Sequence, residues 1–297
     1  MLVCRSPENI VEFEQYYQLR WQVLREPWGQ IRGSECDKLE DNSIHRMVID
    51  ENGQALAVGR LDYTEQFAGQ IRFVAVSPLA QGQGLGQQIM ASLEQKAKQL
   101  GIKSLHLKAR ENAIRFYQKI GYQLQEYSHI LFDEIKHFCM QKALTPNSNH
   151  QLDASLALQK IWYDTIPLSK AMNVQISYFD GKSLITHCAL EFNKNIHNTM
   201  FAGSIYTLAT LSGWGWIYLQ LQQQGLTGTI VLAEANIEYF KPILAPGYAK
   251  LIDEDITGEV NLLRKDKSTR ISLVVNIYNG EMIAAKFAGS YAVLPVK

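Results

Sequence analysis

The sequence predicts an α+β protein made of two domains. Three observations carry this. At 297 residues the chain is long for one hydrophobic core. A cluster of Pro, Asn and Ser between Ala143 and Gln151 separates two periodic regions, as linkers do, and divides the chain into 1–145 and 146–297. The first part alternates helix and strand signals. The second carries one helix that is apolar on nearly every side, followed mostly by strands.

In the first part, residues 12–24 have apolar side chains near helical spacing. Residues 46–48, 55–61 and 71–76 read as strands, the last ending at Ser77-Pro78. Residues 86–100 form a helix stopped by Gly101. In 102–108, Leu105 and Leu107 alternate against His106, the pattern of a half-buried strand. Residues 111–120 form a short helix closed by Gly121. The second part opens with an amphipathic helix over 155–162. Strands over 174–178 and 183–191 follow, joined at Asp180-Gly181. A polar loop, 193–199, feeds the buried helix, which runs through Ala202-Gly203-Ser204 to Trp216. Strands are then expected over 229–233, 236–240, 248–253, 269–278 and 282–293, the last two joined at Asn279-Gly280. Met172, Trp214 and Trp216 read as packing residues.

Lys plus Arg and Asp plus Glu balance at 29 each, so nothing global points to nucleic acid. Four cysteines lack Cys-x-x-Cys spacing, which argues against a zinc site or a disulfide framework and fits a reducing compartment. The N-terminus lacks the pattern of a signal peptide, and no run is apolar enough to span a bilayer. A cytoplasmic protein with no metal, nucleic-acid or membrane partner is expected.

The chemistry of the first part centres on Val74-Ala75-Val76, then Gln81-Gly82-Gln83-Gly84-Leu85-Gly86-Gln87 leading into a helix. Glycines let the backbone approach a ligand closely, and converging N–H groups at a helix N-terminus suit a pyrophosphate. The loop is neither the dinucleotide fingerprint nor a Walker loop. With Asn112 through Tyr122 it resembles the GNAT-type N-acetyltransferases over residues 1–142. That resemblance implies acetyl-CoA bound by Val74, Val76, residues 81–87 and Asn112. It also places Tyr117 near the sulfur, where a phenol can protonate the leaving thiolate. The plain alternative for Tyr117 is a core aromatic. The general base stays open: Arg72 and Phe73 stand where such enzymes often carry a carboxylate, and His106 and Glu35 are the candidates.

The second part is distinguished by Asn193-Lys194-Asn195-Ile196-His197-Asn198-Thr199 ahead of the buried helix, with no Asp or Glu from 193 to 216. A helix N-terminus fed by side-chain amides can hold an oxyanion or a carboxylate. The pattern resembles the hotdog superfamily of thioester enzymes. The thioesterase branch of that superfamily carries a histidine and an acid where this chain has Phe201 and Thr210. Hydrolysis normally needs a base at the site, whereas decarboxylation of a malonyl thioester needs donors for a developing oxyanion. A GNAT-like part joined to this loop resembles the two-domain malonyl-ACP decarboxylases of bacteria. The resemblance implies a phosphopantetheine-linked malonyl thioester as substrate, acyl carrier protein (ACP) and CoA thioesters as partners, and a homodimer through the hotdog domain. It puts the catalytic amide at Asn195, with the Gly203 N–H as a second donor. His197 and Thr199 orient the loop, line the pocket, or simply cap; Thr199 is a candidate helix cap. Arg264, Lys265 and Arg270 form a basic run between strands, either a solvated hairpin or a clamp for the pantetheine phosphate and ACP. Two alternatives remain: a thioesterase using Glu191 or a loop-bound water, and a first domain that senses CoA without turnover.

Overall fold

A computed structural model describes residues 2–40, 43–64, 67–145, 149–244 and 246–296. The chain forms two compact units, residues 1–146 and 147–297. The central linker positions, 146–148, lie outside the described residues.

The first unit is built on a seven-stranded sheet. Its strands are β1 (Val3–Arg5), β2 (Ile44–Ile49), β3 (Ala55–Tyr63), β4 (Ala68–Val76), β5 (Ser104–Arg110), β6 (Gln123–Leu131) and β7 (Ile135–Ala143), in the order β1-β2-β3-β4-β5-β7-β6. Helix α1 (Ile10–Leu24) is capped by Asn9, whose side chain accepts from the Glu12 N–H. It packs with Tyr16 and Leu19 on Met47 and Val58. Helix α2 (Leu85–Gln99) lies on the opposite face. A Cβ at Gly59, one residue after Val58, would meet Ile89 at 2.6 Å, and neighbouring strand residues point to opposite faces. The expected helix over 111–120 is split, a 3-10 turn at Glu111–Ala113 followed by α3 (Ile114–Lys119).

Strand β4 pairs in parallel with β5 only from Ala68 to Ile71, although both strands run on. They therefore splay apart. At the same place β4 bulges: Val58 pairs with Ala75 and Arg60 with Arg72, so Phe73 and Val74 together face Gly59. Phe73 sits at φ +53°, uncommon for a bulky residue.

In the second unit α4 (Leu152–Thr165) and the short α5 (Pro167–Ala171) precede β8 (Gln175–Phe179) and β9 (Leu184–His187). The central α6 (Ala202–Gln223) is followed by β10 (Thr229–Tyr239), β11 (Tyr248–Leu251), β12 (Ile256–Thr257), β13 (Thr269–Asn279) and β14 (Met282–Leu294). The sheet runs β10-β14-β13-β11-β9-β8, with β12 beside β13. Helix α6 lies against β9, β10, β11, β13 and β14 and buries Ile205, Leu208, Trp216 and Leu219. At Gly215 a Cβ would meet the Trp162 ring at 2.4 Å, so the close packing of α4 on α6 requires glycine there.

Three sequence expectations change here. The strand expected over 183–191 stops at His187, because the chain turns at 188–193 and the Asn193 amide donates to the Met172 and Ala189 carbonyls. The two strands expected over 229–240 are one strand, β10, with a bulge between Leu232 and Glu234. The basic run is not a hairpin: residues 260–265 form a 3-10 turn that ends at Asp266 in the left-handed region.

Candidate functional sites

The splay and the bulge open a cavity of about 460 Å³ in the first unit. Along one wall run Val74, Val76, Gln81, Asn112 and Tyr117; the rest includes Arg25, Arg72, Lys108, Arg110, His129 and His137. Four residues of the expected acetyl-CoA set are thus brought together with Tyr117, the expected proton donor. The glycine loop enters α2 through Gly82 at φ +77° and Gly84 at φ +79°, with no side chain capping the helix. First-turn N–H groups of a helix have no partner within it, so this end is a ready anion cradle. A Cβ at Gly86 would meet Phe116 at 3.3 Å, so the first turn of α2 sits close to α3. Desolvation pushes the Tyr117 phenol up to about 12, against the nearby Arg110 charge, so it stays protonated at neutral pH.

Four arginines surround the Phe73 ring, Arg20, Arg25, Arg60 and Arg72. Arg20, Arg60 and Arg72 stand 3.9, 4.8 and 4.8 Å from its centroid. Arg20, Arg60 and Arg72 are neutralised. Glu40 takes Arg20 through both oxygens at 2.8 Å and Arg60 at 2.6 Å. Asp37 binds Arg60 and Arg72, and Asp62 binds Arg60 at 2.8 Å. Burial would raise the Asp37 carboxyl, but Arg60 and the Leu39 N–H hold it down at about 2. The positions at Arg72 and Phe73 that carry no carboxylate are thus occupied by a charge cage that supports the bulge.

The base candidates named from sequence do not reach the cavity. Glu35 is buried, accepting from the Gly33 N–H and pairing with Arg32 at 2.9 Å. His106 does not line the cavity. His137 does, and sequence reasoning missed it because strands β6 and β7 show no clear alternation. His129 and His137 are register partners whose rings stack at 4.7 Å. His137 Nδ1 lies 3.0 Å from the Ile135 carbonyl, which can only accept, so Nδ1 carries the hydrogen and Nε2 the lone pair. Burial, with help from His129, Arg110 and Arg25, lowers its pKa, with the Ile135 bond opposing, so the ring is neutral at neutral pH.

In the second unit the loop before α6 folds around Asn195. Its Oδ1 accepts from the His197 N–H at 2.8 Å and the Thr199 N–H at 3.3 Å, and its Nδ2 donates to Thr199 Oγ1 at 2.9 Å. Asn195 and Thr199 are thus directly joined, and His197 contributes its backbone while its ring is exposed. Thr199 does not cap α6. The cap position is Phe201, two residues further on, with no side-chain cap, and the Thr199 hydroxyl instead accepts from Asn195. Gly203 lies in the first turn of α6 beneath the Phe201 ring; a Cβ there would meet it at 2.4 Å. Glu191 is exposed. Within one chain the basic run is not brought to this loop. Arg264 donates to the Gln224 carbonyl at 2.7 Å, just past the far end of α6, and Lys265 and Arg270 are exposed beside it in sequence. A helix of 22 residues separates the two by about 33 Å.

Comparison with known proteins bears on both units. A family model described as "Acetyltransferase (GNAT) family" matches residues 13–122, and one described as "Putative thioesterase (yiiD_Cterm)" matches residues 155–295. The chain joins a GNAT-family acetyltransferase domain to a domain of the YiiD_C thioesterase family. The GNAT and hotdog folds expected from sequence are those found. The uncharacterized protein YyaT of Bacillus subtilis is 33% identical over 113 residues, 38% of this chain and 74% of that protein. The uncharacterized N-acetyltransferase YjcF of the same organism is 27% identical over 135 residues, 46% of this chain and 95% of its own. A solved structure described as the "putative thioesterase from Shewanella oneidensis" is 35% identical, covering 48% of this chain and 99% of that one, with a TM-score of 0.47. Among the described residues, no group of three or more His, Cys, Asp or Glu could hold a metal, and no helix is long and apolar enough to cross a membrane.

Proposed function

We propose that the hotdog domain decarboxylates malonyl-ACP to acetyl-ACP, a primer for fatty acid synthesis, and that the GNAT domain transfers acetyl from acetyl-CoA to an amine. The observation that carries the first part is the donor set at the start of α6, an amide and helix N–H groups with no carboxylate in the loop. Decarboxylation breaks the bond between the malonyl carboxylate and its α-carbon. CO₂ leaves, and the electron pair is delocalised onto the thioester oxygen before a solvent proton quenches the carbon. The second N–H of Asn195 Nδ2 and the Gly203 N–H stabilise that oxygen, each donor contributing about 100-fold or more. Thr199 fixes the Asn195 amide by their mutual bond. Arg264, Lys265 and Arg270 serve the phosphate and the carrier protein of a second copy's site, since their own loop lies at the other end of α6. This reading therefore includes a homodimer.

Hydrolysis is the second reading, favoured by the thioesterase description of the matching family; Glu191 would then activate water. Intact-mass analysis of malonyl-ACP separates them. Asn195→Ala is expected to abolish acetyl-ACP formation and Glu191→Gln to leave it unchanged. Free ACP from the parent protein, lost in Glu191→Gln, overturns the decarboxylase.

In the GNAT domain, the loop 81–87 cradles the pyrophosphate, Val74 and Val76 lie along the pantetheine, and Tyr117 gives a proton to the departing sulfur. Transfer rather than CoA sensing is supported by His137, a neutral imidazole with an available lone pair in the same cavity.

A further inference from the structure

The cavity of the GNAT domain holds charge that the acetyl-CoA reading does not use. Arg25 and Arg110 line it, and among the described residues neither makes an ion pair with a carboxylate. Arg25 donates to the Ser34 and Leu24 carbonyls at 3.0 and 3.1 Å, and Arg110 to the Leu24 carbonyl at 3.3 Å. Rings lie against both: Arg110 lies 4.4 Å from the Trp28 centroid and Arg25 5.5 Å from that of Phe132. Both guanidinium groups are therefore oriented yet keep donors to spare, since each carries five N–H groups. Lys108, His129 and His137 also line the cavity, as does Arg72, which Asp37 pairs, and among the described residues no Asp or Glu lines it.

The contrast lies across the Phe73 ring. Arg20, Arg60 and Arg72 have three carboxylates between them, while Arg25, 5.6 Å from the same ring, has none. Desolvation lowers the pKa of both Arg25 and Arg110, and Arg25 adds to the effect at Arg110. Glu35 acts on Arg25 only at a distance, since its carboxylate is paired to Arg32, and partly buried cations without an ion-pair partner are costly unless a ligand supplies one. On the acetyltransferase reading the CoA pyrophosphate is held at the loop 81–87 and the pantetheine arm is uncharged, so neither would neutralise this pair. The Tyr117 phenol feels the Arg110 charge, so that guanidinium lies near the group read as the proton donor to the leaving sulfur.

We propose, resting on the acetyltransferase reading, that the acceptor is a small amine bearing an anionic group, carboxylate or phosphate, which Arg25 and Arg110 bind while its nitrogen faces His137. In the transfer, the amine nitrogen forms the C–N bond to the acetyl carbon and the C–S bond breaks. His137 Nε2 takes the proton the nitrogen loses, and the sulfur takes one from Tyr117, which solvent restores from the imidazolium. The net result is an N-acetyl amine and a free thiol.

The test uses the full chain and acetyl-CoA, with thiol release as the readout. Matched acceptors are common amino acids against their carboxamides, and phosphoethanolamine against ethanolamine. The anionic member of at least one pair is expected to exceed its neutral partner by about 10-fold or more, and which pair does so separates carboxylate from phosphate. Arg110→Gln and Arg25→Gln should raise the KM for that acceptor by about 10- to 100-fold. Arg110→Lys should recover part of the loss, and acetyl-CoA affinity by calorimetry should be unchanged in each. Equal or better use of the neutral partners overturns the proposal. So does an arginine variant that loses acetyl-CoA affinity with an unchanged acceptor KM, and so does acetyl-CoA binding without transfer to any member. Failure to bind acetyl-CoA at all sinks the acetyltransferase reading itself, and this inference with it.

Discussion

Replacing Glu40 by Gln removes the central carboxylate of the charge cage with little change of shape. Arg20 and Arg60 have side chains with 0% exposure, and Glu40 has 11%. Three guanidinium groups, on Arg20, Arg60 and Arg72, face three carboxylates, on Asp37, Glu40 and Asp62. Glu40→Gln leaves three cations against two. Arg20 then loses its carboxylate partner and keeps the Glu35 carbonyl, ring faces and at most one neutral amide oxygen. Its Nε and that of Arg60 already lack partners, so the network has no slack to absorb the loss. Breaking one arm of a buried ion-pair network costs about 3–5 kcal/mol, or about 100- to 4,000-fold in the unfolding equilibrium. Hydrogen exchange read by peptide mass spectrometry assigns the effect. Peptides of β2, β3 and β4 should lose protection by that factor, whereas those of β13 and β14 keep theirs. A loss below about 1 kcal/mol in the first unit, the range of exposed pairs, refutes the argument that the cage is a buried network supporting the bulge.

Three further outcomes follow from the same geometry. His137 must be neutral to accept a proton and its pKa lies below the ordinary 6.5. Acetyl transfer should therefore fall as pH drops through a value under 6.5, and His137→Gln should lower the rate by about 100-fold and abolish that limb. Gly84 sits at φ +79°, so Gly84→Ala should cost about 1–2 kcal/mol and weaken acetyl-CoA binding about 10-fold, as measured by calorimetry. Because Asn195 and the basic run lie at opposite ends of α6, Asn195→Ala and a Lys265→Ala/Arg270→Ala chain, each impaired alone, should recover decarboxylase activity when co-expressed as mixed dimers. No recovery above the better parent contradicts a site shared between copies.

How far the sequence could be read depended on burial. Helix α6 was legible because it is apolar all round, and α2 because it is amphipathic and Gly101 ends it. The hairpin near Asn279-Gly280 was legible from its turn residues, one position off: Asn279 still pairs with Met282 of β14, and the turn is Gly280-Glu281 with Gly280 at φ +62°. Strand β6 was missed because its first five residues are all exposed, so no in-out alternation marks it, and with it went β7, His129 and His137. Glycines at Gly82 and Gly84 announced the loop, since only their conformational freedom explains them. Nothing local announced the charge cage. Arg20, Glu40, Arg60 and Arg72 meet only because α1, the loop after it, β3 and β4 converge. The separation of Arg264 from Asn195 was likewise invisible until α6 was placed between them.

The most direct test of the central claim is the mass of the carrier protein after purified full-length chain has acted on malonyl-ACP. The account predicts acetyl-ACP, its thioester intact and one CO₂ lost, formed by the parent protein and not by Asn195→Ala. Free ACP, or acetyl-ACP formed equally well by Asn195→Ala, would contradict it.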